Sequence, residues 1–407
     1  MTIAKEINKV LAVWKQTGLG VPRSGNGSQA LRRETSNGKL TIAGFENNEI
    51  TTHQQSTGKS HGGRSATFAI NGVLSGNTYS TLFASLLRGT FTATAAVTAA
   101  SVTVSVPVAG TYALTDAANT FLTKGIKIGD VIRITAGTYV NAVNRDNNLL
   151  VTNVTQTVIT GVTLNGSVMI AEGPVAASTI TVIGKKLAAP ITGQSNDYWT
   201  VEEFHSDIVK SELFTDAVFG TADIAMPANG NTTVAFTAVA RDRTSGAAQV
   251  LTTPVAETVT SVVQGVKGAV IINGTQVANV TGATIKIDDG VQRMGDVLGS
   301  NITPDVSRGI LKVSGQITAY YEDAIMSGYF DASTPISIVI VVAVDDTNAS
   351  EFHTFSMSKV KLDGDDKDNG ATGVIRTYPF TAEINGAGGA ALANSQTIIT
   401  LQDSLAA

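Results

Sequence analysis

An internal repeat is the feature that most constrains this chain, because the fold must accommodate two copies of one unit. The first copy, residues 39–89, reads as strand (KLTIAGFE), polar loop, strand (SATFAINGVLS) and helix (TYSTLFASLLRG). The second copy, residues 282–333, repeats that order with GATIKIDD, a polar loop, ILKVSGQITAY and YEDAIMSGYFDAS. A constant offset of 243 residues, which pairs Gly72 with Gly315, relates the copies without a gap. Chance likeness between two β-rich segments would not keep this register, so we predict a tandem duplication.

The apolar positions of the two predicted helices follow the same offset. They recur at i, i+1, i+4 and i+5, which places them on one helical face turned toward a core. The predicted helix core residues are Leu82, Phe83, Leu86 and Leu87 in the first copy and Ile325, Met326, Tyr329 and Phe330 in the second. The duplication is therefore geometric as well as compositional.

Further strands are predicted to close each copy. YWTVEEFH, FGTADIAMP and TTVAFTAVARD close the first, and EFHTFSMSKVKL, TYPFTAEI and SQTIITLQDS take the same places in the second. Between them, residues 92–188 add alternating apolar and polar runs separated by turn residues, which indicates an inserted β-domain. The second copy lacks an insert, and PISIVIVVAV continues there as a buried strand.

These patterns predict a mainly β fold, with two tandem β-sandwich or half-barrel domains, each with a short flanking helix, and an inserted small β-domain. The predicted boundaries are an N-terminal helix and extended arm at 1–38, a first domain at 39–91 plus 189–265, the insert at 92–188 and a second domain at 266–407. The N-terminal helix is assigned to residues 3–16 because their apolar residues fall on one helical face.

Charge and composition exclude several classes of protein. The net charge of −5 provides no overall basic field, so tight binding of nucleic acid is disfavoured. Cysteine is absent, which excludes disulfides and zinc ribbons. We find no signal peptide pattern and no apolar run long enough to span a bilayer, and so expect an intracellular protein that does not contact a membrane. Residues 1–64 carry nine basic residues against four acids, typical of a solvated arm or of one that reaches an acidic neighbouring subunit.

The motifs that imitate chemical sites are incomplete. QSTGKS at 55–60 has His53 where a phosphate-binding loop needs glycine, and a strand follows it instead of a helix. DGDDKDNG at 363–370 has Lys367 at the fifth ligand position of a calcium loop. The four histidines lack metal-ligand spacing, and no nucleophile elbow is present. We therefore predict no enzyme, no catalytic residue, no cofactor and no metal.

The order of strand, long polar loop, strand, short helix and closing strands resembles the major tail tube proteins of long-tailed, non-contractile bacteriophages. FENNEI, MPANGNTTVAFTAVARD and SRGILKVSGQITAYYEDAIMSGYF carry the resemblance, which covers nearly all of the chain outside the insert. It implies small β-sandwiches with a flanking helix, six of which pair strands into one lumenal barrel. Two such domains per chain imply that three chains complete a pseudo-sixfold ring, and that rings stack into a tube.

This resemblance also implies where the chain contacts its partners. The long loops 47–64 and 288–308 occupy the same place in both copies, and we expect them to join successive rings. The ring-stacking candidates are Asn47, Glu49, His53, Lys59, Arg64, Asp289, Arg293, Asp296, Asp305 and Arg308. The insert would lie outside the tube, and the lumen would be neutral to acidic so that DNA slides through.

The implied partners are other copies of the chain, a tape measure protein in the lumen, and tail terminator and distal tail or baseplate proteins at the ends. Phage DNA would pass transiently during ejection. The implied location is the virion tail, after assembly in the host cytoplasm.

Three other functions remain open at this point. An inner tube of a contractile tail or a secretion-like machine would have a related fold, although such tubes usually have single-domain subunits. A bacterial surface β-adhesin would need an export signal. A carbohydrate-active β-enzyme would need clustered carboxylates and surface aromatics, and the aromatic share is only 6%.

Overall fold

The computed structural model describes residues 3–50, 52, 53, 55, 58–118, 120–368 and 373–406. Within these residues the fold is mainly β, as predicted, with two short α-helices. Two 3-10 turns lie at Glu6–Asn8 and Ala142–Asn144.

The elements are numbered in chain order. The N-terminal part contains β1 (Lys9–Lys15), β2 (Gln29–Ala30), β3 (Thr35–Glu46), β4 (Lys59–Val73) and α1 (Ser80–Leu86). The next strands are β5 (Val97–Val108), β6 (Thr111–Thr115), β7 (Val131–Ala136), β8 (Leu149–Val154), β9 (Val158–Thr163) and β10 (Glu172–Val182). They are followed by β11 (Lys185–Ala188), β12 (Trp199–His205), β13 (Lys210–Pro227), β14 (Thr233–Ala240) and β15 (Asp242–Gly246).

The C-terminal part begins with β16 (Gln264–Ile272), β17 (Thr275–Val277), β18 (Val280–Asp288), β19 (Gln292–Arg293), β20 (Val306–Ser307) and β21 (Lys312–Tyr320). It ends with α2 (Ile325–Asp331), β22 (Ile336–Ala343), β23 (Phe352–Leu362), β24 (Asp366–Asp368), β25 (Ile375–Ala382) and β26 (Thr400–Asp403).

The prediction of an N-terminal helix at residues 3–16 is wrong. Only a 3-10 turn forms at Glu6–Asn8, and the chain then enters β1, which pairs antiparallel with β12 over seven residues. The β-branched residues Val10 and Val13 suit a strand. Backbone pairing with a strand almost two hundred residues away overrides the local helical pattern.

The two halves of the chain use the same set of strand pairings. In the first repeat β3 pairs with β4, β4 with β14, β14 with β13, and β13 with β12 and β15, while β12 pairs with β1. In the second repeat β18 pairs with β21, β21 with β25, β25 with β23, and β23 with β22 and β26, while β22 pairs with β16. The corresponding strands are therefore β3 and β18, β4 and β21, β14 and β25, β13 and β23, β12 and β22, β15 and β26, and β1 and β16. Each helix follows the second strand of its repeat, as the sequence predicts.

This topology corrects the predicted match of the closing strands by one position. β22 (PISIVIVVAV in the sequence) is the equivalent of β12, so β23 matches β13 and β25 matches β14. All of these strands alternate or bury apolar residues, and the pattern alone does not distinguish neighbours in one sheet.

The helices close the sandwich of each repeat to different extents. Leu82, Phe83, Leu86 and Leu87 are buried around α1, and the Phe83 ring meets the Phe236 ring edge-on at 5.0 Å. In α2, Met326, Tyr329 and Phe330 are only partly buried against the core, and Ile325 is 58% exposed. The second helix therefore carries an apolar surface that the isolated chain leaves uncovered.

Strands β5 to β10 form a closed barrel in the order β5-β6-β9-β8-β7-β10. The barrel has its own core and lies within the predicted insert, between α1 and β12. It packs on the sheet of β16, β22 and β23 in the second repeat, where Val131 and Leu150 meet Val339, Val341 and Phe352. β11, which follows the barrel, pairs with β26 of the second repeat.

Candidate assembly surfaces

A continuous sheet of seven strands joins the two repeats, in the order β3-β4-β14-β13-β18-β21-β25. The junction is the antiparallel pairing of β13 with β18. Side chains alternate between the two faces of a strand, so cross-strand partners share a face. One such row crosses all seven strands through Thr35, Asn71, Ala235, Asp223, Lys286, Ser314 and Thr381.

This row belongs to the exposed face of the sheet, whereas the other face is buried in the sandwich cores. Small polar and alanine side chains dominate the exposed face. Its charged residues are Lys39, Lys286, Lys312, Asp223 and Asp288. The Lys286 ammonium lies 3.9 Å from the Asp223 carboxylate across the junction of the repeats. Three lysines and two aspartates leave this face close to neutral.

Within the described residues the sheet has two open edges, one at β3 and one at the β23–β24 segment that lies beyond β25. At one end, β3 pairs with β4 alone. At the other, β23 is interrupted after Leu362 and resumes as the exposed strand β24, and both segments pair with β25. Unpaired edges are adhesive unless they carry charge or are covered. These edges are therefore candidate sites of contact with other copies of the chain.

The second predicted stacking loop folds onto the first repeat. Asp289, the first residue after β18, is fully buried and accepts hydrogen bonds from Arg308, at 2.6 Å, and from Arg88, just after α1. Arg308 also donates to the carbonyl of Ser85 at 3.1 Å. Burial raises the pKa of Asp289, and the two guanidinium groups oppose that shift. Asp289 and Arg308 therefore serve contacts within the chain.

The middle of the same loop contacts the first repeat as well. Arg293 donates to the carbonyl of Arg64 at 3.0 Å and pairs with the half-exposed Asp296. Arg64 forms an ion pair with Asp242 at 2.7 Å. Asp305, the remaining candidate in this loop, accepts a hydrogen bond of 3.0 Å from the Tyr198 hydroxyl. Burial raises the pKa of Tyr198, and the hydrogen bond to Asp305 adds to that shift.

The first predicted stacking loop is exposed instead over its described residues from 47 to 58. It is shorter than predicted because β4 begins at Lys59, so residues 59–64 are strand and the connection is 47–58. Asn47, Glu49, His53 and Lys59 are exposed here. Two groups of residues lie outside the described part of the chain: 51, 54, 56 and 57, in the loop and the QSTGKS segment, and 369 and 370, in DGDDKDNG.

Neither a metal-ligand cluster nor a membrane-spanning helix is found in the part of the chain that the structure describes. No group of three or more His, Asp or Glu side chains there has an arrangement that holds a metal ion. Neither described helix is long and apolar enough to cross a membrane. Sequence reasoning missed Arg88, because its partner Asp289 lies 201 residues away. It also missed the open edge at β24.

The fold and its open sheet edges can be compared with known proteins. The family described as phage tail tube protein matches residues 10–382, from β1 to the end of β25. The chain belongs to this family. It is a structural protein of the phage tail, and membership implies self-assembly into a tube. A structural family of this kind implies a non-enzymatic role. No curated protein matches the chain.

Proposed function

We propose that three copies of this tail tube protein close a ring by pairing β3 of one chain with β24 of the next. The junction within the chain supports this contact. The β23–β24 segment is the second-repeat equivalent of β13, and β3 is the first-repeat equivalent of β18. Within the chain, β13 pairs with β18. Repeating that pairing between chains continues the sheet until it closes, and closure removes every open edge. Two repeats per chain then give a pseudo-sixfold ring.

The exposed face of the seven-stranded sheet would line the lumen of this ring. The opposite face is already buried in the sandwich cores. The inserted barrel packs on the sheet of β16, β22 and β23, away from the exposed face. A near-neutral surface rich in Thr, Ser and Ala offers few groups that neutralise phosphates, so DNA would pass without being held. This supports a conduit for DNA ejection that also encloses a tape measure protein during assembly.

Stacking of the rings is assigned to the exposed loop at residues 47–58, including Asn47, Glu49 and His53. A head-to-tail contact that does not close on itself extends a ring into a tube. Tail terminator and distal tail or baseplate proteins would cap the two ends after assembly in the host cytoplasm. Because duplicated subunits are unusual among contractile tubes, we assign the chain to a long-tailed, non-contractile phage.

Negative-stain electron microscopy of the purified protein tests this function. We expect hollow tubes, or rings of three subunits with a pore wide enough for duplex DNA. A strictly monomeric species at high concentration would contradict the proposal. Micrographs of virions that show a sheath around the tube would favour the contractile alternative.

A proline substitution tests the sheet edge itself. The Ser36 carbonyl points away from β4, toward the Lys9 ammonium at 3.0 Å. Backbone groups alternate in direction along a strand, so the N–H of Leu40 also points to the open edge. Leu40→Pro should leave the β3–β4 ladder intact and prevent rings. Leu40→Ala removes similar packing but keeps the N–H, and it should still form rings.

A further inference from the structure

A groove with a largely apolar lining lies beside α2. It is bounded by β17, by residues 319–323 and by α2, has a volume of about 440 Å³ and is called the α2 groove here. Val277, Tyr321, Ile325 and Met326 contribute its apolar lining, and two exposed acidic residues, Glu322 and Asp323, also line it and are called its acidic rim. Of these, Ile325 and Tyr321 are 58% and 40% exposed.

The corresponding surface of the first repeat is covered. At the 243-residue offset, Leu82 matches Ile325 and Thr78 matches Tyr321, and both first-repeat residues are buried. The repeats therefore differ in what lies over this surface.

The segment just before β16 is a large part of this cover. The Thr258 and Thr78 hydroxyls share a hydrogen bond of 2.6 Å, and the Thr260 hydroxyl donates to the Gly76 carbonyl at 2.7 Å. Val263 is buried, and its N–H donates to the Leu74 carbonyl at 3.0 Å. Residues 258–263 thus lie on the first repeat immediately before the chain enters the second.

We propose that residues 3–8 of one chain occupy the α2 groove of the neighbouring chain. β1 is the first-repeat equivalent of β16, so the residues before β1 match those before β16. In a ring, the repeat that precedes β1 is the second repeat of another copy. The inference rests on the proposed three-chain ring and names the segment that seals each contact between chains.

The chemistry of this segment fits the groove. Ile3 and Ile7 are 81% and 90% exposed in the isolated chain, and burying them in an apolar groove is favourable. Lys5 lies between them in sequence and would face the acidic rim formed by Glu322 and Asp323. In the isolated chain the segment is anchored at Asp207, which accepts from the Lys5 N–H at 2.8 Å and from the Asn8 amide at 3.2 Å.

Cysteine cross-linking of assembled protein tests the contact. The natural chain has no cysteine, so the variant Ile3→Cys/Ile325→Cys contains only the two introduced thiols. Oxidation of its rings should give covalent dimers and trimers on non-reducing gels. The control Ile3→Cys/Val140→Cys places the second thiol in the inserted domain at a position more accessible than Ile325, since Val140 is 91% exposed. It should give no such ladder.

The outcomes separate this inference from the ring itself. Rings without a ladder in the Ile3→Cys/Ile325→Cys variant would overturn the inference and leave the proposed function standing. If the natural chain forms no rings, the proposed function fails and this inference with it. As a second measurement, Ile325→Asp should raise the concentration needed for ring formation about tenfold or more, because one buried apolar side chain contributes at least a factor of ten. An unchanged concentration would contradict the contact.

Discussion

The substitution Asp289→Ala separates a loop that holds one chain together from a loop that joins rings. The Asp289 side chain is fully buried, and its carboxylate is the ion-pair partner of both Arg88 and Arg308. The side chains of Arg88 and Arg308 are only 14% and 6% exposed. Removing the carboxylate leaves two poorly hydrated cations without their counter-ion, although backbone carbonyls still accept from them.

The expected cost follows from this burial. Breaking a buried ion pair by removing one partner costs about 3–5 kcal/mol. We expect about 3 kcal/mol, because Arg308 keeps the Ser85 carbonyl and Arg88 keeps the Gly309 carbonyl, at 3.1 and 2.8 Å. The loss should appear as a lower urea midpoint for the dilute, unassembled chain.

A surface substitution in the same loop provides the control. Asp296 pairs with Arg293, but its side chain is 53% exposed, so Asp296→Ala should cost less than about 1 kcal/mol. If Asp289→Ala were equally mild, the buried cluster would not hold the loop on the first repeat. Asp289 would then be free to contact a neighbouring ring, contrary to this reasoning.

A deletion and a loop replacement test the outer and axial contacts of the tube. Deleting the barrel alone, residues 97–182, keeps β11 for its pairing with β26. It should give thinner tubes only if Val339 and Val341, which the barrel covers, are replaced by Thr; the plain deletion should aggregate, as light scattering would reveal. Normal tubes from the plain deletion would contradict that expectation. Replacing residues 47–58 by a short Gly/Ser link should permit rings and prevent stacking, and electron micrographs with full-length tubes would refute the assignment of this loop.

The sequence predicted the duplication better than it predicted the individual strands. The gap-free offset predicted both helices and the β3–β4 and β18–β21 hairpins, because local pattern and repeat agree there. Residues 9–15 were misread as helix, since Val10, Leu11 and Trp14 suit either periodicity and the deciding partner is β12. The closing strands were matched one place out, because alternation does not specify which neighbour a strand pairs with.

The contacts of the predicted loops were the hardest to foresee. Arg88 and Asp289 are 201 residues apart, and nothing local to either one signals their ion pair. The repeat even argues against it, because Asp331 stands where the second copy would need the equivalent of Arg88. Loops in equal places of a duplicated chain can therefore differ in role, one packed inward and one exposed.

The junction of β13 with β18 also affects how ring formation depends on protein concentration. Every second seam of the proposed ring is built into the chain, so it forms within one molecule and does not depend on protein concentration. By mass action, the amount of complete ring would rise with the third power of free chain, whereas an unduplicated subunit would require the sixth. Duplication thus lets rings form from a more dilute pool. It also allows the seam within each chain, where Asp223 meets Lys286, to diverge in sequence from the seams between chains.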